Sequence, residues 1–216
     1  MTIAIDGPRI EPRVGSARKL VVFLHGYGAD GNDLIDIGRV WAPAMPDVAF
    51  VSPHAPYPCD QSPTGRQWFP ISGGDPGALR TGARSAAPIL DAFLDSELAR
   101  YGIGAESLAL VGFSQGTMMA LQVGPRRTTA LAGIVGYSGV LPGPEDIKGE
   151  RVTRPPILLV HGDADPVVPI TALYASVAAL SDSGIHPESH VCRGLPHAID
   201  EAGLRLGLDF LRRVLG

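Results

Sequence analysis

The chain has 216 residues, 45% of them hydrophobic, and a formal net charge of −4 from interspersed acids and bases. That length suits one ordinary domain, residues 1–216, large enough to bury a substantial core, and the apolar content excludes a disordered chain. No block of like charge offers a surface to nucleic acid or to anionic membrane, and no apolar run approaches the roughly 18 residues of a membrane span.

Residues 1–14 lack a basic segment followed by an apolar one, so no signal peptide is expected and the expected location is cytoplasmic. Cys59 and Cys192 lie far apart, and in such a chain they are expected as free thiols.

In chain order, Ile3, Ile5 and Ile10 suggest a short antiparallel start. The run 20–24 is a buried strand. A helical pattern follows in Leu34, Ile37, Val40 and Trp41, with Asn32 or Asp33 as its cap. The next strands are 48–51 and 108–111, separated by a long connection and a helix carrying Ile89, Leu90, Phe93, Leu94 and Leu98. Ala120 and Leu121 continue a helical pattern after Ser114. Strands 131–137 and 157–160 come next, then a helix through Leu173, Tyr174, Val177 and Leu180. A last strand, 188–193, precedes a closing helix through Leu204, Leu208, Phe210, Leu211 and Val214. Short runs that are apolar on both faces and alternate with helices predict an α/β fold, with a mostly parallel central sheet and helices on both faces.

The connection 53–77 holds six prolines and four glycines and has no helical period. A loop of that length in a compact domain is usually functional. It carries Trp68 and Phe69, and it is expected to be an ordered pocket wall whose two rings bind substrate.

Gly112-Phe113-Ser114-Gln115-Gly116 is G-x-S-x-G, directly after a predicted strand and before a predicted helix. This context distinguishes a nucleophile elbow from a chance match. The serine must sit on a strained turn, and only glycine on either side lets strand and helix pass closely enough. A serine alcohol needs a base, and the base needs an orienting carboxylate, in the chain order serine, acid, histidine. Of the histidines after Ser114, His197 lies in a loop just before the final helix, whereas His186 and His190 flank the last strand and His161 ends another. Asp163 and Asp165 share the turn after strand 157–160. Either could orient His197 while the other braces the turn, and spacing leaves both open. An oxyanion hole needs two backbone N–H groups. Gln115 supplies one, and Tyr27, in the glycine-rich His25-Gly26-Tyr27-Gly28, supplies the other.

With Phe23-Leu-His-Gly-Tyr-Gly28, Trp68-Phe69, Gly112–Gly116, His161-Gly-Asp-Ala-Asp-Pro-Val-Val-Pro169 and His197 in this order, the chain resembles the phospholipase/carboxylesterase family of small α/β-hydrolases, which includes the acyl-protein thioesterases. The resemblance spans nearly the whole chain. It implies an α/β-hydrolase fold without a large cap domain, and a serine carboxylesterase acting on short- to medium-chain esters, with thioesters and lysophospholipids within reach. It implies Asp165, the aspartate before x-Val-Pro, as the catalytic acid beside Ser114 and His197. Eukaryotic thioesterase members carry Gly-Leu-Gly where this chain has Gly26-Tyr27-Gly28, so protein depalmitoylation is not implied.

Two other readings compete. Gly26, Gly28 and Gly31 form a literal G-x-G-x-x-G after a strand, as in a dinucleotide-binding oxidoreductase, but no ribose-binding acid ends the second strand. A non-catalytic binding module of the same fold would be expected to have lost a triad member, and none is missing. There is no His-Glu-x-x-His and no Cys-x-x-Cys, so neither metal nor cofactor is expected. The expected partner is a small-molecule ester, with no nucleic acid and no stable membrane insertion; a homodimer is left open.

Overall fold

The computed structural model describes residues 3–71, 76–150 and 152–216. Its core is a seven-stranded sheet built from β1 (Arg9–Ile10), β2 (Lys19–Leu24), β3 (Val48–Val51), β6 (Leu108–Phe113), β7 (Gly133–Tyr137), β8 (Ile157–Gly162) and β9 (Glu188–Cys192), in the order β1-β3-β2-β6-β7-β8-β9. β1 runs antiparallel to β3, with Ile10 opposite Phe50, and every other pair in this sheet is parallel. Of the expected apolar start, residues 9 and 10 form the strand among the described residues, and the Pro8 and Asp6 carbonyls accept the Ser52 and His54 N–H groups at 3.0 and 2.9 Å.

The strands read as two-faced because helices cover both sides. Leu20, Val22 and Leu24 point into one core with α2 (Pro76–Tyr101), α3 (Gln115–Val123) and α5 (Thr171–Asp182). Val21 and Phe23 point into the other, with α1 (Gly31–Trp41) and α6 (Glu201–Leu215). Strand alternation of period two divides each strand's side chains between the cores. Phe23 packs against both Trp41 and Phe50, with ring centroids 5.8 and 6.1 Å away.

One local expectation is corrected and two are filled in. The cap of α1 is Asp30, not Asn32 or Asp33: its carboxylate accepts the Asn32 N–H at 2.7 Å. His54 adds a second cap, its Nδ1 accepting the Gly31 N–H at 3.1 Å. α2 begins well before Ile89 and carries Pro88 inside it. The connection 53–77, of which residues 72–75 lie outside the described residues, contains the antiparallel hairpin β4 (Tyr57–Cys59) and β5 (Ser62–Gln67). Its strands are polar and broken by Pro58 and Pro63, which hides them from a pattern search.

Between β7 and β8, the described residues form one helical turn, α4 (Pro144–Ile147). Asp146 and Glu150 bind Arg84, and Asp146 also binds Arg80, tying this stretch to α2. No helix among the described residues is long and apolar enough to cross a membrane. Cys59 and Cys192 are buried free thiols.

Candidate active site

β6 delivers Ser114 at the carboxyl edge of the sheet. Ser114 has φ 52° and ψ −116°, a backbone conformation that a residue with a Cβ adopts only under constraint. The constraint is visible in its neighbours. A Cβ on Gly112 would stand 2.5 Å from the Thr117 nitrogen, and one on Gly116 would fall on the Leu24 carbonyl. The Ser114 N–H donates to the Tyr137 carbonyl at 2.9 Å, and the Thr117 hydroxyl lies 2.8 and 2.9 Å from the Gly112 and Tyr137 carbonyls. The elbow is therefore held by the end of the adjacent strand as well as by its own helix.

The loop after β8 carries both candidate acids, and the fold sends them in different directions. Asp165 Oδ2 lies 2.7 Å from His197 Nδ1, while its Oδ1 accepts the Val167 and Val168 N–H groups at 2.8 and 2.9 Å. Burial pushes the Asp165 carboxyl up, but the hydrogen bonds from His197, Val168 and Val167 outweigh it and hold the group below the usual range. Asp163 accepts the Gly194 N–H at 2.6 Å instead. Both aspartates brace backbone; Asp165 alone of the two also reaches His197. His161 Nε2 pairs with the Val168 carbonyl at 2.8 Å and lies 3.5 Å from Asp165 Oδ2, so it anchors the same loop from below. The ring of Phe113, the residue before Ser114, stands 4.9 Å from the His197 ring, which places the imidazole beside the elbow. Gly162 lets the His197 loop cross close over β8, since a Cβ there would stand 2.9 Å from the Pro196 carbonyl oxygen and still closer to that of Leu195.

The loop after β2 passes over the elbow from the other side. A Cβ on Gly26 would stand 3.1 Å from the Phe113 ring and 3.5 Å from Ser114 Cβ. Gly28, at φ 83°, donates its N–H to the Arg66 carbonyl at 2.9 Å. Gly31 packs on the backbone of residues 52–54. Chain packing accounts for each glycine of the G-x-G-x-x-G string. Gln115 opens α3, so its N–H has no intrahelical acceptor. Among the described residues no backbone carbonyl takes up the N–H of Tyr27 or of Gln115.

Trp68 and Phe69 are not where the sequence reading put them. Their exposures are 0% and 1%, and both belong to the core on the α2 side of the sheet. A ring with no exposed surface cannot wall an open groove. The hairpin turns them inward, and Phe69 lies against Gly82 of α2. Their polar groups are nevertheless engaged at the site. The Trp68 N–H donates to Gln115 Oε1 at 2.9 Å, Gln115 Nε2 donates to the Phe69 carbonyl at 2.8 Å, and the indole Nε1–H donates to the His25 carbonyl at 3.0 Å.

No sequence motif singles out a role for His25. It is fully buried, with Nδ1 2.8 Å from the Gly26 carbonyl and Nε2 accepting the Ala55 N–H at 3.0 Å. That pairing requires the neutral ring with its proton on Nδ1. Burial favours the same state, pushing its pKa down to about 4. Ser138 was also missed as a structural residue. It follows β7 at φ 48°, donates its N–H to the Val160 carbonyl at 2.9 Å, and holds its hydroxyl 3.5 Å from the Ala198 carbonyl, next to His197. No local signal marks either role, because every partner but Gly26 is distant in the chain.

A phospholipase/carboxylesterase family model matches residues 5–215. The chain belongs to the phospholipase/carboxylesterase family. It is 31% identical over 203 residues to the esterase YpfH of Escherichia coli K12, covering 91% of this chain and 83% of that protein. The crystal structure of esterase PE8 superposes with a TM-score of 0.95 at 42% identity, covering 99% of this chain and all of the other. Arabidopsis thaliana SOBER1 superposes with a TM-score of 0.79 at 25% identity, covering 93% of this chain and all of its own. The fold is that of the α/β-hydrolases, and this family member is a carboxylic ester hydrolase. Membership overturns the dinucleotide-binding and non-catalytic readings.

Proposed function

We propose that this carboxylesterase works through Ser114 as nucleophile, His197 as general base and acid, and Asp165 as the group that orients and charge-stabilises the imidazole. The observation that carries the reading is the 2.7 Å contact between Asp165 Oδ2 and His197 Nδ1 beside an elbow whose serine sits at φ 52°. With Nδ1 held by the carboxylate, Nε2 is the nitrogen left to serve the serine. Ser114 Oγ attacks the ester carbonyl carbon and its proton passes to His197 Nε2. The carbonyl oxygen becomes an oxyanion that accepts from the Tyr27 and Gln115 N–H groups. Collapse of the tetrahedral intermediate expels the alcohol, which takes the proton from His197, and leaves an acyl-Ser114 ester. Water, activated by the same imidazole, releases the acid.

The substrate range follows from the surroundings. Ser114 is 9% exposed, and the described residues between β7 and β8 contribute one helical turn and no cap domain. Beside the elbow stand the partly exposed Phe113, whose ring lies 4.9 Å from that of His197, and the partly exposed Tyr27 of the loop that crosses over Ser114 at Gly26. So short a surface favours short- to medium-chain acyl groups, on oxygen esters first and on thioesters or lysophospholipids by the same chemistry.

The test is a serine-directed fluorophosphonate followed by peptide mass spectrometry. The adduct is expected on Ser114, and Ser114→Ala is expected to be unlabelled and to lose about 10⁴-fold or more in kcat. An adduct on Ser138, or an active Ser114→Ala protein, would overturn the assignment.

A further inference from the structure

The two N–H groups assigned to the oxyanion belong to separate stretches of chain, Tyr27 to the loop after β2 and Gln115 to the start of α3. Donors must lie about 2.7–3.1 Å from one developing oxygen, so their separation has to be fixed to a fraction of an ångström. The strand pairing of β2 with β6 sets it coarsely, as Leu24 is opposite Gly112. Beyond this pair β2 leaves the sheet, and β6 keeps only Phe113, opposite Tyr137, before the turn at Ser114, so a finer constraint is needed.

We propose that Trp68 is a positioning residue that sets the spacing of the oxyanion hole, holding one donor segment through its main-chain N–H and the other through its indole N–H. On one side its N–H meets Gln115 Oε1 at 2.9 Å, and the amide of the same side chain returns to the Phe69 carbonyl at 2.8 Å. Gln115 is thus gripped at both ends of its carboxamide. On the other side the indole reaches the His25 carbonyl at 3.0 Å, two residues before Tyr27. His25 continues the chain of bonds to the Gly26 carbonyl and the Ala55 N–H. Trp68, Gln115 and His25 all have 0% exposure, so water does not substitute for any of these bonds. The hairpin of β4 and β5 brings Trp68 to this position: Arg66 on β5 exchanges backbone hydrogen bonds with Gly28 and Ala29 of the same loop.

A purely structural tryptophan would give the same burial, but it would not need its two N–H groups aimed at the two segments that carry the donors. The inference rests on the assignment of Tyr27 and Gln115 above, and it concerns the transition state more than the ground state, because only there does the oxygen carry full charge.

The test removes the indole N–H and keeps an aromatic ring in its place. Trp68→Phe, and the shape-matched replacement of Trp68 by benzothienylalanine in case the smaller ring loosens the core, are assayed on p-nitrophenyl butyrate. Inhibition is measured in parallel with an alkylboronic acid, whose tetrahedral serine adduct places an oxygen in the hole. A fall of about tenfold in kcat is expected, with KM within about twofold and the boronate inhibition constant rising in step with the loss of kcat/KM. Gln115→Met is expected to give a similar pattern, and the double variant is expected to be far less impaired than the product of the singles. Parent-like kcat and boronate affinity in the folded benzothienyl protein, or a loss confined to KM, would overturn the role of Trp68. Fluorophosphonate labelling of the parent keeps the two readings separable. No adduct on Ser114 removes the active-site assignment itself, whereas a labelled Ser114 with unchanged kinetics removes only the part given to Trp68.

Discussion

Asp165 and His197 lie 32 residues apart in the chain and 2.7 Å apart in the fold, joined between Oδ2 and Nδ1, while the other oxygen of the carboxylate is tied to two backbone N–H groups of its own turn. The Asp165 carboxylate is therefore a fixed post, and the imidazole leans on it. Asp165→Asn keeps an acceptor for the Val167 and Val168 amides, so it is expected to fold. Its amide cannot accept the Nδ1 proton while donating to the ring, and kcat is expected to fall about 10³–10⁴-fold. Asp163→Asn loses charge only at Gly194, and is expected to cost less than about tenfold in kcat. Steady-state kinetics on the two purified variants separate them; the reverse ranking would reassign the acid.

Burial of Trp68 changes what its removal should do. Trp68→Ala is expected to destabilise the protein by about 3–5 kcal/mol, the range for deleting a large aromatic from a core, and to lower kcat/KM by a similar factor on every acyl length. A wall residue would instead flatten the dependence on chain length. Measuring kcat/KM for p-nitrophenyl acetate, butyrate and octanoate, alongside urea unfolding, distinguishes the two. A selective loss on octanoate would restore the ring to the groove.

His25 predicts a pH dependence of stability. In the fold it is held neutral, its pKa pushed down to about 4 chiefly by burial, whereas in the unfolded chain it titrates near 6.5. Between those values the unfolded state binds the extra proton. Stability is fully present above about pH 6.5 and is lost as pH falls through the window to about 4, by up to about 3 kcal/mol. Asp165, held below the usual carboxylate range, adds a further loss at still lower pH. Urea unfolding at pH 7, 6, 5 and 4 is expected to show this slope, and His25→Gln is expected to start from lower stability and flatten it. An unchanged slope in that variant would mean other groups carry it.

The elbow glycines offer a steric test. A methyl group on Gly116 would fall on the Leu24 carbonyl, a backbone atom that cannot swing aside. Gly116→Ala is expected to cost about 3 kcal/mol or more, at or above the top of the range for overpacked core sites, and to abolish fluorophosphonate labelling. Gly194→Ala, at φ 69° with nothing near its would-be Cβ, should cost about 1–2 kcal/mol of backbone strain and leave Ser114 reactive. Thermal melts and labelling of both variants check the contrast.

The sequence by itself determined the sheet and the elbow. Strands apolar on both faces can be stable only between two helical layers, and residues 20–24, 48–51 and 157–160 all lie within or coincide with observed strands. Gly112 and Gly116 around a serine between strand and helix carry their steric reason in their own neighbourhood, so the strained turn at Ser114 was legible without coordinates. The tertiary structure decided what depends on direction. Asp163 and Asp165 share one turn and the same local chemistry, and only the path of the chain between β9 and α6 brings His197 to one and Gly194 to the other. Trp68 read as a groove residue because aromatic content reports how much apolar surface a loop has, not which way it faces. The hairpin that turns it inward is a pairing of polar, proline-broken segments, and its hydrogen bonds to His25 and Gln115 span 43 and 47 residues. Periodicity is a property of neighbours in sequence. Contacts across such distances are set by how the whole sheet folds the chain back on itself, and no local pattern encodes them.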